Sequence, residues 1–263
     1  GVIAVQRSGD PWNNNSDFWI RGISSFAGNT QPLVLIDGIE RSINDIDPDE
    51  VASFSVLKDA AASAVYGVRG ANGVIMVETK RGSIGKPQVS VRFEHALSQP
   101  VRIPQYVGSV KYLELVNEMY SQDGIAPYVS EATLRNYRDK TDPELYPDVN
   151  WWDVISKNHA DNTRATLSVN GGSNVLRYAL VAGYYNENGI LARDKTKAWD
   201  SSLKVDRYTV RSNVDINITS STVLRINIGG NLQSRNAPPG DITDHRAFYN
   251  AMRIPPYIHP AIY

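Results

Sequence analysis

The chain has 263 residues, of which 41% are hydrophobic, and a formal net charge of −1. That length suits one large domain or two smaller ones, and a near-neutral balance supplies no global field for nucleic acid or an anionic membrane surface. The absence of cysteine excludes disulfides, thiolate metal sites and a cysteine nucleophile. No run of about 18 apolar residues exists, which excludes a membrane-crossing helix but not a β-barrel, whose alternating strands average out as polar.

In chain order, short apolar runs come first. "GVIAV" (1–5), "FWIRG" (18–22) and "PLVLIDG" (32–38) are strand candidates by composition. No signal peptide precedes Gly1, and the chain opens directly in a strand-like run, so a start internal to a longer protein is expected. "DPDEV" (47–51) predicts a helix start, with Asp47 as N-cap, Pro48 at the first helical position and Glu50 closing a capping box. "FSVLK" (54–58) reads as a strand. Asp59 then caps an alanine-rich helical turn that Gly67 stops, and "GVIMVET" (73–79) is the next strand. Strands and short helices mixed within about 85 residues predict a small α+β unit that ends near Ile84.

Beyond "SIGKP" (83–87) the period changes to strict alternation. Val89, Val91, Phe93, His95 and Leu97 share one parity, as do Ala165, Leu167 and Val169, and again Leu176, Tyr178, Leu180, Ala182 and Tyr184. The clearest case sets Tyr208, Val210, Val214, Ile216 and Ile218 against Arg207, Thr209, Arg211, Asn213, Asp215 and Asn217. Leu224, Ile226, Ile228 and Leu232 repeat the scheme. Each segment therefore has one apolar and one polar face. Connections alternate too. "GGSN" (171–174) and "TSST" (219–222) are hairpin-sized, whereas the links at about 98–163 and 190–204 are long, and the first carries a helix over 109–124. Short turns at one end and long loops at the other suit an outer-membrane barrel; a water-soluble antiparallel sandwich with one wet face is the alternative. The segments reach the roughly 9–11 residues needed to cross hydrocarbon. Five of them cannot close a barrel, so further strands, from the same protein or another chain, are expected to complete the wall.

The stretch 20–82, "IRGISSFAGNTQPLVLIDGIERSINDIDPDEVASFSVLKDAAASAVYGVRGANGVIMVETKRG", resembles the plug of TonB-dependent outer-membrane transporters. Plugs of that family carry IRG, then LIDG, then a K-G-P…YG…GGVI pattern. The variant here is Lys58-Asp59-Ala60-Ala61-Ala62 with Tyr66-Gly67 and Arg69-Gly70-Ala71-Asn72-Gly73-Val74, which is similar to the SusC/RagA branch of Bacteroidota. "GKPQVS", "LSVNGGSNVLRYALVAGYYNENGI" and "NAMRIPPY" (250–257) match the same branch. The resemblance implies a plug over 1–84, truncated at its N-terminus, and the first part of a 22-stranded transmembrane barrel over 85–263, with a long extracellular loop at about 98–163. It further implies TonB as energy source, through a box missing from this chain, a SusD-like surface lipoprotein as lid, and import of glycans or peptides across the bacterial outer membrane. The plug motif comprises Arg21, Gly22, Asp37, Gly38, Lys58, Asp59, Tyr66, Gly67, Arg69, Gly70, Asn72 and Gly73. A plug is needed because so wide a lumen is otherwise an aqueous hole, and polar contacts to the wall leave it free to be pulled aside.

Candidate substrate contacts are Trp12, Asn13, Asn14, Asn15 and Asp17 in "RSGDPWNNNSDFW" (7–19), Arg41 in "ERSIND" (40–45), and Trp151 and Trp152 in "YPDVNWWDV" (146–154). Tryptophan stacks on sugars and amides hydrogen-bond them, and by the resemblance the first two loops face outward; ordinary polar loops with packed aromatics are the alternative. Lys58, Asp59, Arg69, Glu78 and Lys80 form either a switchable ionic latch or, the favoured reading, caps and paired charges. Gly67, Gly70 and Gly73 fit no phosphate-loop order. The acidic stretch 139–148 lacks EF-hand spacing. The four histidines are scattered without metal or catalytic spacing. No nucleophile elbow occurs. No cofactor, metal, nucleic acid or enzymatic activity is expected. A non-transporting surface carbohydrate-binding protein is the rival function; a hydrolase with two carboxylates lacks a supporting pair.

Overall fold

The computed structural model describes residues 2–6, 9, 11, 15–20, 31–57, 64–238 and 246–260; Trp12, Asn13, Asn14, Arg21, Gly22, Lys58 and Asp59 lie outside them. Strands β1 (Val2–Gln6) and β2 (Ser16–Ile20) pair antiparallel. Next come β3 (Leu33–Ile36), β4 (Ile39–Glu40), β5 (Val51–Leu57) and β6 (Val74–Thr79). They form a mixed sheet in the order β4-β3-β6-β5, with β3 parallel to β6 and both hairpin pairs antiparallel.

The central position of β6 follows from its composition. An unbroken apolar run can be buried on both faces, and Val74, Ile75 and Val77 are all buried. On one face Ile75 and Val77 pack with Ile20, Ile36 and Ile46; on the other, Val74 packs with Leu33 and Leu35. Asp37 and Gly38 turn β3 into β4, both in the left-handed region (φ 51° and 84°), which glycine adopts without cost and aspartate tolerates.

The expected helix at 47–51 is a single 3-10 turn, Pro48–Glu50. Asp47 does cap it, accepting from the Asp49 N–H at 2.9 Å. The capping box is not formed: Glu50 is buried and directed to an arginine of the large sheet, whose charge outcompetes a backbone donor. The strand expected at 54–58 is β5, starting three residues earlier.

Five long strands follow: β7 (Gly85–Ser98), β8 (Ala160–Gly172), β9 (Leu176–Asn188), β10 (Lys204–Asn217) and β11 (Val223–Asn236). They lie side by side in the order β11-β10-β9-β8-β7, each next to its neighbour in sequence. Each has 13 or 14 residues, well beyond the roughly 5–6 of ordinary strands. Short turns join β8 to β9 and β10 to β11 at one end; the connections 99–159 and 189–203 leave from the other.

The burial of this sheet is inverted relative to a water-soluble protein. Along β10 the inward side chains are Thr209, Arg211, Asn213 and Asp215, each 2–8% exposed, whereas Tyr208 and Val210 are 49% and 51% exposed; Val214 and Ile216 are half-buried. Leu167 on β8, Leu176 and Leu180 on β9, and Leu224, Ile226, Ile228 and Leu232 on β11 are likewise exposed, as is all of β7. A sandwich would bury these apolar rows between sheets. Here the polar row of β10 is buried against the small sheet and its apolar row faces out, as in a barrel wall around a filled lumen.

The three sheets together make one compact unit, residues 1–96, 161–187 and 204–235. A second unit comprises 97–160, 188–203 and 236–263. It is built on α1 (Ser109–Gln122), where the helix at 109–124 is expected, and on α2 (Glu131–Asp139), α3 (Trp151–Ile155) and α4 (Arg246–Arg253). Leu113, Leu134 and Tyr137 form its core, with Val110, Val129, Tyr146 and Tyr257 around them. Among the described residues no helix is long and apolar enough to cross a membrane.

The outward face makes a direct prediction. Val210→Lys places a charge midway along β10; in protein folded into phospholipid vesicles it costs about 2–4 kcal/mol if that face meets hydrocarbon, against about 0.5 kcal/mol or less on a water-facing surface. Urea unfolding from the vesicles measures the difference.

Candidate functional site

The inward row of β10 meets the small sheet residue by residue. Towards the long-connection end, Arg207 Nη1 donates to the Asn44 carbonyl at 3.2 Å. Two steps on, past Thr209, Arg211 Nε donates to Glu50 Oε2 at 2.5 Å, and its Nη1 lies 3.6 Å from Asp37 Oδ2. Asn213 Nδ2 then donates to Thr79 Oγ1 at 2.6 Å and to the Lys80 carbonyl at 2.8 Å. Nearest the short turns, Arg81 Nη1 donates to Asp215 Oδ1 at 2.9 Å. Because strand side chains alternate, only every second residue of β10 can take part, and every second residue is polar.

These contacts form a continuous relay. The Asn213 amide donates to the Thr79 hydroxyl, which donates to Asp37 Oδ2 at 2.6 Å; Asp37 Oδ1 accepts from the Thr79 N–H at 3.0 Å. Asp37 in turn faces Arg211. Asp37 thus serves both its own turn and the charge balance of the wall. The side chains of Arg211, Glu50 and Asp37 are all less than 9% exposed. Arginine holds two carboxylates at once through its planar fork of donors, and charged hydrogen bonds of this kind are the strong ones. Other wall strands reach the same small sheet: Arg164 of β8 lies 3.5 Å from Asp47, Arg92 of β7 lies 3.4 Å from Asp49, and Asn231 of β11 donates to the Asp45 carbonyl at 3.3 Å.

Close approach is possible because Gly183, on the inward row of β9, has no side chain. A Cβ there would stand 2.6 Å from Thr209 Oγ1 and 3.6 Å from Asp47 Oδ2. Thr166 Oγ1, Thr209 Oγ1 and Asn213 Oδ1 are buried here without a hydrogen-bond partner among the described residues, so the interface carries spare polar capacity that water can meet.

Of the charges weighed as a latch or as caps and paired charges, Lys58 and Asp59 lie outside the described residues. Arg69 pairs with Glu40, and Glu78 accepts from the Ser53 hydroxyl at 2.8 Å, both within the small unit, which is the paired-charge reading. Lys80 takes part only through its carbonyl. The wall contacts fall instead to Asp37, Glu50, Thr79, Arg81, Arg211, Asn213 and Asp215. The signal for the wall half is present in the sequence, as five polar residues at period two from Arg207 to Asp215; the plug half carries none, since Glu50 satisfies a capping pattern equally well.

The turn 42–44 and the adjoining strands border a cavity of about 550 Å³. Arg41, Arg69, Asn72 and Glu40 line it with Gln31 and Ser42. Asp17 accepts from Gln31 Nε2 at 2.9 Å, at its edge. Asn15 lines a separate cavity of about 260 Å³ with Asp47, Arg164, Tyr185 and Arg207. Of the candidate residues, Arg41 lines the first cavity and Asn15 the second, Ile43 and Asn44 bordering both, and Asp17 is tied to the first through Gln31. In the motif, Gly38, Gly67 and Gly73 take positive φ, Gly70 is buried, and Tyr66 packs against Leu33, Leu35 and Val74.

In the second unit, Trp151 Nε1 donates to the Pro255 carbonyl at 3.3 Å, and Trp152 lies 5.4 Å from the Phe248 ring. Both indoles join α3 to the segment carrying α4, and both remain half-buried. The acidic stretch serves backbone groups: Asp142 accepts from the Glu144 and Leu145 N–H groups, and Asp148 accepts from the Ser109 N–H at 2.7 Å, opening α1 where Gly108 has no side chain to do so. Tyr112, Tyr257, Tyr128 and Tyr120 form a run of rings 5.6–6.2 Å apart. The hydrogen bond to Tyr128, together with burial, pushes the Tyr257 phenol up to about 12.

A small mixed sheet held by polar side chains against a wall sheet with apolar rows outward is the arrangement of a plug and an incomplete barrel wall. The comparisons agree. Residues 1–74 match the TonB-dependent Receptor Plug Domain. The chain is 31% identical, over 86% of its length, to TonB-dependent receptor P26 of Formosa agariphila, and 28% identical, over 84%, to TonB-dependent receptor SusC of Bacteroides thetaiotaomicron. It spans about a fifth of each, 22% and 21% respectively. Its fold superposes on the RagAB peptide transporter with a TM-score of 0.75 at 22% identity, over 90% of this chain and 28% of that one. Residues 1–74 are thus matched to a TonB-dependent receptor plug, and the chain as a whole is similar to SusC/RagA-like TonB-dependent receptors.

Two outcomes follow from the site. Arg211→Ala leaves Glu50 and Asp37 buried without their cation and costs about 3–5 kcal/mol; adding Glu50→Gln recovers part of that loss, and a urea double-mutant cycle reads the coupling. For Tyr257, the folded-state value lies above the unfolded 10.0. Its contribution to stability is therefore complete below about pH 10 and lost as pH rises through about 12. Tyr128→Phe returns the Tyr257 titration towards 10.0, seen by ultraviolet absorbance.

Proposed function

We propose that the protein of which this chain forms part imports large nutrients, glycan oligosaccharides or peptides, across the bacterial outer membrane. In this reading residues 1–84 are the plug and 85–263 the first part of the transmembrane wall, with 98–163 as a long extracellular loop. Further strands close the barrel, TonB supplies the force, and a SusD-like lipoprotein covers the outer mouth. Support comes from the families of the relatives and from the RagAB neighbours, described as a peptide importer. The relatives are receptors, and we assign no catalytic step or cofactor to this chain.

The observation that carries the proposal is the nature of the plug–wall contact. An interdigitated apolar core loses its whole transfer free energy when opened. Hydrogen bonds such as those of Asn213, Arg81 and Arg207 are exchanged for water at a net cost of about 0.5–1.5 kcal/mol each. A plug held this way is firm at rest yet yields to a directed pull, and cargo then passes along the polar wall. A surface carbohydrate-binding protein without transport has no use for a buried polar slip surface.

These 263 residues hold no cysteine, so within them a designed pair has no competing thiol. Thr79→Cys with Asn213→Cys, in the full-length protein, ties plug to wall where the two side chains already touch. Oxidised cells are expected to lose TonB-dependent uptake and regain it on reduction. Equal uptake in both states sinks the displaced-plug mechanism.

A further inference from the structure

The cavity of about 550 Å³ beside the turn 42–44 has two arginines and one carboxylate in its lining. Glu40 is occupied by Arg69. That leaves Arg41, whose backbone N–H bonds to the Val34 carbonyl at 3.2 Å and whose guanidinium has no hydrogen-bond or ion-pair partner among the described residues. It is half-buried, so it is not a freely solvated surface charge. The turn it precedes is the one that Arg207 grips, towards the end of the wall from which the long connections leave. Side-chain amides of Gln31, Asn44 and Asn72 complete the polar lining.

We propose that this cavity binds a carboxylate of the cargo and that Arg41 is the residue that reads it, an assignment resting on the import reading above. A planar fork of N–H donors matches a carboxylate in two parallel bonds. With Glu40 paired to Arg69 and Asp17 held by Gln31 at the edge of the cavity, Arg41 is the lining cation left without a partner among the described residues, and an anion is the ligand it favours. A free peptide C-terminus and a uronic acid residue of an acidic glycan present the same group. Glu40 limits the site, because it neutralises the second arginine.

Isothermal titration of the full-length receptor in detergent tests this with two matched pairs of probes. These are tri-alanine against tri-alanine amide, and tri-galacturonate against its methyl ester. In at least one pair the acid is expected to bind about tenfold tighter than its neutral partner, with the ratio shrinking as salt is raised. The pair that discriminates identifies peptide or acidic glycan as the source. Arg41→Gln brings that ratio to about one, and Glu40→Gln, which frees Arg69, raises it. Equal binding of both members in both pairs, no binding of any probe, or a preference that survives Arg41→Gln overturns the proposal. An unchanged ratio in Glu40→Gln also counts against it. TonB-dependent uptake by the same cells separates the two claims: uptake without acid preference removes this inference alone, whereas loss of TonB dependence in the unaltered protein removes the import reading.

Discussion

Arg211 lies in the wall with its guanidinium withdrawn from water, and a charge so placed persists only beside opposite charge. Glu50 and Asp37 supply it from two separate segments of the plug, one a 3-10 turn and the other the tip of a hairpin. The rest of the arrangement depends on that constraint. Asp37 must hold its left-handed turn to aim its carboxylate, and Thr79 must end β6 within reach of the other face of the same group. The parallel pairing of β3 with β6 places both at one end of the sheet. A buried ion pair is weak grounds for net stability; here it sets the register of plug against wall.

Strand geometry then spreads this contact into a row. One inward side chain every second residue gives Arg207, Thr209, Arg211, Asn213 and Asp215 to the plug and leaves Tyr208 and Val210 for the outside. The same chemistry answers two demands. In the proposed import reading, lipid requires that no charge be left towards hydrocarbon, and a displaced plug requires contacts that water can replace. An inward row of Leu or Ile would satisfy the first and defeat the second.

The second unit is organised on different terms. Its helices are too short to be stable alone, and they are held by a small apolar core, by Ser130 and Asp148 as caps, and by the run of tyrosines through Tyr257. Arg138 bridges α1 and α2 through Glu114 and Glu131. Much of the aromatic surface that suits sugar or partner contact is thereby committed to internal packing, Trp151 and Trp152 included, although one side of each indole remains open.

Much of the fold was legible before any coordinates. The period-two rows of β8 to β11, the unequal connections and the "GVIMVET" strand are local patterns, and local patterns follow from side-chain alternation and turn chemistry. Three of the four helices outside the plug were not read. The Ser130 cap preceding α2 offered a usable signal, but α3 and α4 owe their existence to packing of Trp152 on Phe248, two residues 96 positions apart in sequence. Of the candidate residues, Arg41 lines a cavity and Asp17 reaches it through Gln31, while Arg69 and Glu78 pair within the plug and the plug–wall contacts fall on other residues.

By itself the sequence determined which residues of each long strand face inward and which outward, because alternation admits only two choices and the polarity selects between them. It also determined the plug strands, through their unbroken apolar composition. Only the tertiary structure decided which plug groups those inward residues meet. Glu50 reads equally well as a helix cap and as a counter-ion, and the choice turns on Arg211, 161 residues away, whose full charge at close range outweighs a backbone N–H.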